Sequence, residues 1–125
     1  RSPMLGQITY KKYISGSFFN ASLDKASEKN ERLILNMDTE NGNKIAFVQI
    51  AGLVARRIIC EVDIGHSLKA GEIFGLIRFG SRVDIYFPSE VSVMVLKGQK
   101  MIAGETIIGD FSKNAKSVKE ITDEK

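Results

Sequence analysis

The sequence predicts a mostly β fold, a compact barrel or sandwich built on an internal hairpin repeat and carrying one short helix. Apolar and polar residues alternate through most of the chain, the pattern of strands with one face buried. Glycines and an Asn-Gly pair punctuate these runs at hairpin spacing. A glycine pattern also recurs. Val62-x-x-Gly65, Ala70-Gly71-Glu72 and Gly75 return as Val95-x-x-Gly98, Ala103-Gly104-Glu105 and Gly109, with 33 residues between the two glutamates and one extra residue before the last glycine. Each copy reads as strand, glycine turn, strand, and two such units need one another to bury their apolar faces.

In chain order, Leu5 to Ile14 and Arg32 to Met37 are strands, and Asn20 to Asn30 between them is the short helical segment. Asp38 to Asn43, with Asn41-Gly42, is a hairpin turn into a strand from Lys44 to Ile50. Further strands run over Leu53 to Val62, Ile73 to Phe79, Arg82 to Phe87, Val91 to Leu96 and Glu105 to Phe111. The lysine-rich polar tail from Ser112 to Lys125 reads as disordered, which leaves residues 1–111 as one folded domain.

Composition narrows the function. At 125 residues, 43% hydrophobic and 26% charged, the chain has the make-up of a soluble globular domain. Its net charge of +3 is scattered; it favours an anionic membrane surface slightly and lacks the basic stripe that nucleic acid needs. One cysteine precludes an internal disulfide and fits a reducing compartment; one histidine beside it leaves no zinc site. No apolar run approaches the roughly 18 residues of a membrane-spanning helix. The longest, Ile45 to Cys60, is broken by Gln49, Arg56 and Arg57. The chain opens on Arg1-Ser2-Pro3 without a signal peptide, like the interior of a longer protein.

Chemistry concentrates at Gly80-Ser81, set between the apolar runs Ile77-Arg78-Phe79 and Arg82-Val83-Asp84-Ile85-Tyr86-Phe87. Glycine inside a strand pattern commonly marks a β-bulge with a solvated serine. It also permits a strained backbone, and a serine hydroxyl can then attack the preceding carbonyl.

This stretch resembles the processing site of the phosphatidylserine decarboxylases, in particular the short bacterial type. Phe18 to Ser27, Asn30-Glu31-Arg32, Val48-Gln49-Ile50-Ala51-Gly52, Ala55-Arg56-Arg57-Ile58 and Gly104-Glu105-Thr106 look like blocks of that family in its order, from Arg1 to about Phe111. The resemblance implies a proenzyme that cuts itself between Gly80 and Ser81. Ser81 is then the nucleophile of self-cleavage and the precursor of a covalent pyruvoyl group, the electron sink for decarboxylating phosphatidylserine to phosphatidylethanolamine. It implies two chains after cleavage, a membrane lipid as substrate, and a place at the cytoplasmic face of a bacterial membrane. The family's histidine base and its aspartate partner precede the region seen here, so the resemblance makes this chain a C-terminal fragment, inactive alone and partnered by its N-terminal part. A related serine lipid with a different tail fits the same residues.

The remaining candidates divide between chemistry and structure. Arg78 and Arg82 flank the bond and either hold a substrate phosphate or carboxylate or face solvent on alternate strand positions. His66, in the turn Ile64-Gly65-His66-Ser67, reads as a solvated turn residue, and Asp84 as a strand-edge polar residue rather than a catalytic acid. Arg56-Arg57 favours a structural ion pair over a lipid headgroup contact, and Cys60 reads as a small buried hydrophobe. The competing function is a carrier: Asp24-Lys25-Ala26 matches the tripeptide around the modified lysine of lipoyl domains, and the repeat resembles the half-motif of biotinyl- and lipoyl-type barrel-sandwich hybrids. Such a lysine belongs at a hairpin tip between the half-motifs, and Lys25 lies far upstream of that point.

Overall fold

In the computed structural model, which describes residues 1–111, the period-two runs of the first half become long strands. These are β1 (Gly6–Ile14), β2 (Arg32–Thr39) and β3 (Lys44–Ile50), with α1 (Ala26–Lys29) between the first two. Short strands follow: β4 (Ile58–Cys60), β5 (Ser67–Leu68), β6 (Gly75–Ile77), β7 (Arg82–Tyr86), β8 (Ser92–Val93) and β9 (Gly109–Asp110). The tail expected to be disordered lies outside the described residues. The chain falls into two compact units, Arg1–Tyr86 and the residues from Phe87 onward.

The first unit is organised by a five-stranded antiparallel sheet in the order β5-β1-β2-β3-β7, curled as a half-barrel. Register follows the hydrophobic pattern, since a slip of one residue would turn every side chain to the other face. Leu33 lies opposite Gln49, Leu35 opposite Phe47 and Met37 opposite Ile45, all six buried on one face. Phe74 closes that face by meeting Phe47 edge-on, with 5.0 Å between ring centroids. Val48 and Ile50 point the other way and are buried under Ala26 of α1, with Ile34 packed against them. The Asn41-Gly42 hairpin forms as the sequence predicts, with Gly42 at φ +79°. β4 and β6 make a separate two-stranded ribbon, tied to the sheet by Gln49 Nε2 donating to the Ile59 carbonyl at 3.3 Å.

The later strands are shorter than their apolar runs. Leu53 to Val62 shrinks to three residues because Gly52 N–H bonds to the Ala55 carbonyl and turns the chain before a ladder can start. The helical segment likewise shrinks to Ala26–Lys29, with turns from Asn20 to Lys25. β5, unannounced by any apolar run, exists because Ser67 and Leu68 pair with Gln7 and Gly6 at the edge of β1.

In the second unit β8 pairs with β9, and Phe87 meets Phe111 edge-on at 6.3 Å. The repeat survives as matching turns. Gly65 and Gly98 have φ of +93° and +86°, Gly71 and Gly104 +80° and +79°. The hydrogen bonds His66 N–H to Asp63 and Glu72 N–H to Lys69 recur as Gln99 N–H to Leu96 and Glu105 N–H to Ile102. Each unit holds one copy.

Candidate active site

Between β6 and β7 the chain passes Gly80 at φ +75°, a left-handed backbone that residues with a Cβ rarely adopt. Its carbonyl rests on Gly52, where an added Cβ would run into the Gly80 oxygen and stand 2.8 Å from its carbon. The same position is 3.4 Å from the Ala21 methyl. Three loops therefore converge on the Gly80-Ser81 bond, and an open cleft of about 380 Å³ lies there, lined by Asn20, Ala21, Ser22, Gly80, Ser81 and Arg82.

Polar side chains tie these loops together. Asn30 is fully buried; its Nδ2 donates to the carbonyls of Phe19 and Ala51, each at 2.8 Å, and its Oδ1 accepts from Phe19 N–H at 2.9 Å. One amide thus fixes the loop bearing Ala21 to the loop bearing Gly52. Asn20 closes an Asx turn by accepting from Ser22 N–H at 3.0 Å and Ser22 Oγ at 2.8 Å. From β7, Arg82 Nε donates to Asp84 Oδ1 at 2.6 Å, while its other arm reaches the carbonyls of Ala21 and Leu23 at 3.4 and 3.3 Å. Ser27 of α1 donates to the second Asp84 oxygen at 2.6 Å. Register explains the meeting: Asp84 lies opposite Val48 and Arg82 opposite Ile50, on the face that α1 covers.

Arg82 is therefore a clamp between strand and loop, partly exposed on the cleft wall. Arg78 has no carboxylate partner among the described residues and lines a second cleft, of about 350 Å³, with Val54, Ala55, Arg56, Arg57, Ile59 and Leu76. The ion pair expected at Arg56-Arg57 is not found among the described residues. Arg56 instead donates to the Leu53 carbonyl at 3.0 Å and lies 5.1 Å from the Phe18 ring centre, and Arg57 meets no carboxylate. Asp84 is more than the strand-edge residue expected, since it joins β7 to α1. Cys60 is half-buried, with a weak contact from Sγ to the Val62 carbonyl at 3.6 Å. Lys25 packs over the Phe19 ring at 4.0 Å, at the start of α1 and at no hairpin tip.

His66 lies away from the bond. It precedes β5, which pairs with the first residues of β1, and those oppose the end of β2 at Thr39. Arg82 opposes Ile50, which opposes Arg32 at the start of β2. His66 and Ser81 thus occupy opposite edges and opposite ends of the sheet, with the length of β2, roughly 20 Å, between those ends. The most perturbed side chain, Tyr13, does not line the cleft. Burial, then a hydrogen bond and charge from Glu31, push the Tyr13 phenol up to about 12.

Gly52 and Asn30 were not singled out by sequence reasoning as site residues, although both sit in the quoted blocks. Their signals were present: a glycine ending an apolar strand, and an amide at the close of a helical turn. Neither signal says what the residue touches.

Among the described residues, Arg82 is the only one with an ionisable side chain lining the Gly80-Ser81 cleft. The site is organised around one backbone bond, its carbonyl packed on Gly52 and its serine on the cleft wall. The chain belongs to the phosphatidylserine decarboxylase family, whose model matches residues 1–109. It is 58% identical over 113 residues to the phosphatidylserine decarboxylase proenzyme of Rickettsia bellii, covering 90% of this chain and 49% of that protein. The proenzymes of Rickettsia akari and Rickettsia typhi are 56% and 55% identical over the same shares. The chain thus spans about half the length of the curated relatives it matches. No solved structure matches it. Among the described residues no helix is long and apolar enough to cross a membrane.

Proposed function

We propose that this chain is the part of a phosphatidylserine decarboxylase that carries the self-cleavage site, and that Ser81 becomes its pyruvoyl group. The observation that carries the reading is the Gly80-Ser81 bond itself: left-handed at Gly80, its carbonyl seated on Gly52, in a chain of this family. The residues fit the group: Ser81, its precursor, lies on the wall of an open cleft.

Ser81 Oγ attacks the Gly80 carbonyl carbon; the C–N bond breaks, an ester forms, and the serine nitrogen becomes a free amine. Loss of the Ser81 Cα proton and departure of the Gly80 carboxylate leave dehydroalanine. Hydrolysis of its imine tautomer by water releases ammonia and leaves a ketone. Once formed, a pyruvoyl group supplies the electron sink for loss of carbon dioxide from phosphatidylserine. Gly52 fixes the direction of the attacked carbonyl, and Arg82 and Asn30 hold the cleft walls. Arg82 lines the Ser81 cleft while clamped to its loop, and Arg78, without a carboxylate partner among the described residues, lines the neighbouring one; both are candidates to hold the phosphate or carboxylate of an anionic substrate. A neutral hydroxyl needs a base. Among the described residues the cleft offers none and His66 lies at the far corner of the sheet, which supports a histidine and an aspartate supplied by the rest of a longer protein. Residues 1–111 carry this contribution, with the lipid substrate reached from the cytoplasmic face of a bacterial membrane.

The test is release of carbon dioxide and formation of phosphatidylethanolamine from phosphatidylserine in mixed micelles by the longer proenzyme. Activity is expected in the unchanged protein and none in Ser81→Ala. Equal turnover by both proteins would contradict the reading.

A further inference from the structure

We infer that Arg57, Ile59, Leu76 and Arg78 form a docking site for the headgroup phosphate of an anionic phospholipid at a bilayer surface. β4 and β6 pair Ile58 with Ile77 and Ile59 with Leu76. Extended by one step beyond the paired residues, this register would set Arg57 opposite Arg78, and both line the same cleft. Side chains alternate along a strand, so Arg57, Ile59, Leu76 and Arg78 share one face of the ribbon. Like charges directly opposite one another oppose strand pairing. Neither guanidinium meets a carboxylate among the described residues. A phosphate between the two forks turns that repulsion into paired charge-assisted hydrogen bonds.

The rest of the cleft says what carries the phosphate. Arg56 adds a third cation, held in place by its bond to the Leu53 carbonyl. Val54 on the cleft wall is 79% exposed, Leu76 55%, and Phe79, next to Arg78 in the chain, 91%. Cations rimmed by exposed apolar side chains suit the level where headgroups meet acyl chains. A soluble phosphate ester gives Val54 and Phe79 nothing to bury against. The choice of a lipid rests on the reading above, but the contact requires neither a serine headgroup nor chemistry at Ser81.

The test uses the 125-residue chain carrying Ser81→Ala, with vesicles of phosphatidylcholine alone or mixed with phosphatidylglycerol, an anionic lipid with no carboxylate to lose. Binding is expected on the mixed vesicles only. R57Q/R78Q should weaken it roughly 30-fold, taking about 1 kcal/mol for each arginine at an anionic surface. K97Q/K100Q removes the same charge elsewhere in the chain and should weaken it only a few-fold. Equal loss in both pairs, no loss in R57Q/R78Q, or equal binding to neutral vesicles overturns the site. Displacement by millimolar inorganic phosphate would show a site for free phosphate and overturn bilayer docking. If R57Q/R78Q fails to keep its β signature in circular dichroism, the side-chain NMR signals of Arg57 and Arg78 in the parent chain give the second reading. They should shift with short-chain phosphatidylglycerol, and their failure to move overturns the proposal. Because Ser81 is absent throughout, failure of the decarboxylase reading leaves this result unaffected.

Discussion

The carbonyl of Gly80 packs on the Cα of Gly52, so closely that no side chain fits between them. Two glycines 28 positions apart thus serve one bond, one by its left-handed φ and the other by its missing Cβ.

The first expectation follows from that contact. Gly52→Ala should fold, because Gly52 lies in a turn outside the ladders, but the new methyl must push the Gly80 carbonyl away. A displacement near 1 Å from attack geometry costs about 10²-fold in rate. Following the mass of the longer proenzyme should show cleavage slowed by roughly that factor. Cleavage at the unchanged rate means that the contact does not set the geometry.

Asn30 supplies the second. Replacing it with Ala strands two carbonyls and one N–H in a buried place, each unpaired group costing about 1–3 kcal/mol. Asn30→Ala should lose on the order of 3 kcal/mol in denaturant unfolding, and Asn20→Ala, whose turn is exposed, much less. Equal losses would mean that Asn30 does not tie the two loops.

Asp84 bears on the clamp. Asp84→Asn keeps the shape but removes the charge that Arg82 and Ser27 share, so the loop at Ala21 should loosen. Slower cleavage is expected, partly restored by Asp84→Glu, with faster amide exchange from Asn20 to Leu23. Unchanged exchange there would separate Asp84 from the cleft.

Tyr13 gives a pH-dependent expectation. Its folded-state value, about 12, lies above the ordinary 10.0, so the fold favours the protonated phenol. The stabilisation is complete below pH 10 and is lost as pH rises toward 12. An ultraviolet titration should show one of the three tyrosines ionising late, and Tyr13→Phe should abolish that step. Three tyrosines titrating together near 10 would contradict it.

Where strands were long and their partners adjacent, the sequence was enough. Lys44–Ile50 was legible to the residue, because alternation and the Asn41-Gly42 turn together fix register. The runs after Gly52, apart from Arg82 to Phe87, were overread as strands, since apolar residues there make turns and exposed walls instead of ladders. Gly80-Ser81 was singled out by the family resemblance of the residues around it, since the pair alone reads as a β-bulge. Its supports were not, because Gly52 meets Gly80, 28 residues away, Asn30 meets Phe19 and Ala51, 11 and 21 residues away, and Asp84 meets Ser27, 57 residues away, contacts that only the fold brings together. Arg56 and Arg57 lacked their expected acid for the same reason: nothing in one sequence reveals which charges a fold leaves unpaired.

His66→Ala in the longer proenzyme should leave the cleavage rate within about twofold, since general-base assistance is worth roughly 10²- to 10⁴-fold and His66 sits at the far corner of the sheet. A loss of that size would place His66 at the bond.

The most direct measurement is the intact mass of the longer proenzyme beside its Ser81→Ala variant. The unchanged protein should give two chains, one ending at Gly80 and the other beginning at position 81 without a free amine and with a ketone that hydrazine reagents capture. The variant should stay whole and unreactive. A cut elsewhere, or a cut at this bond that persists in Ser81→Ala, would contradict the account.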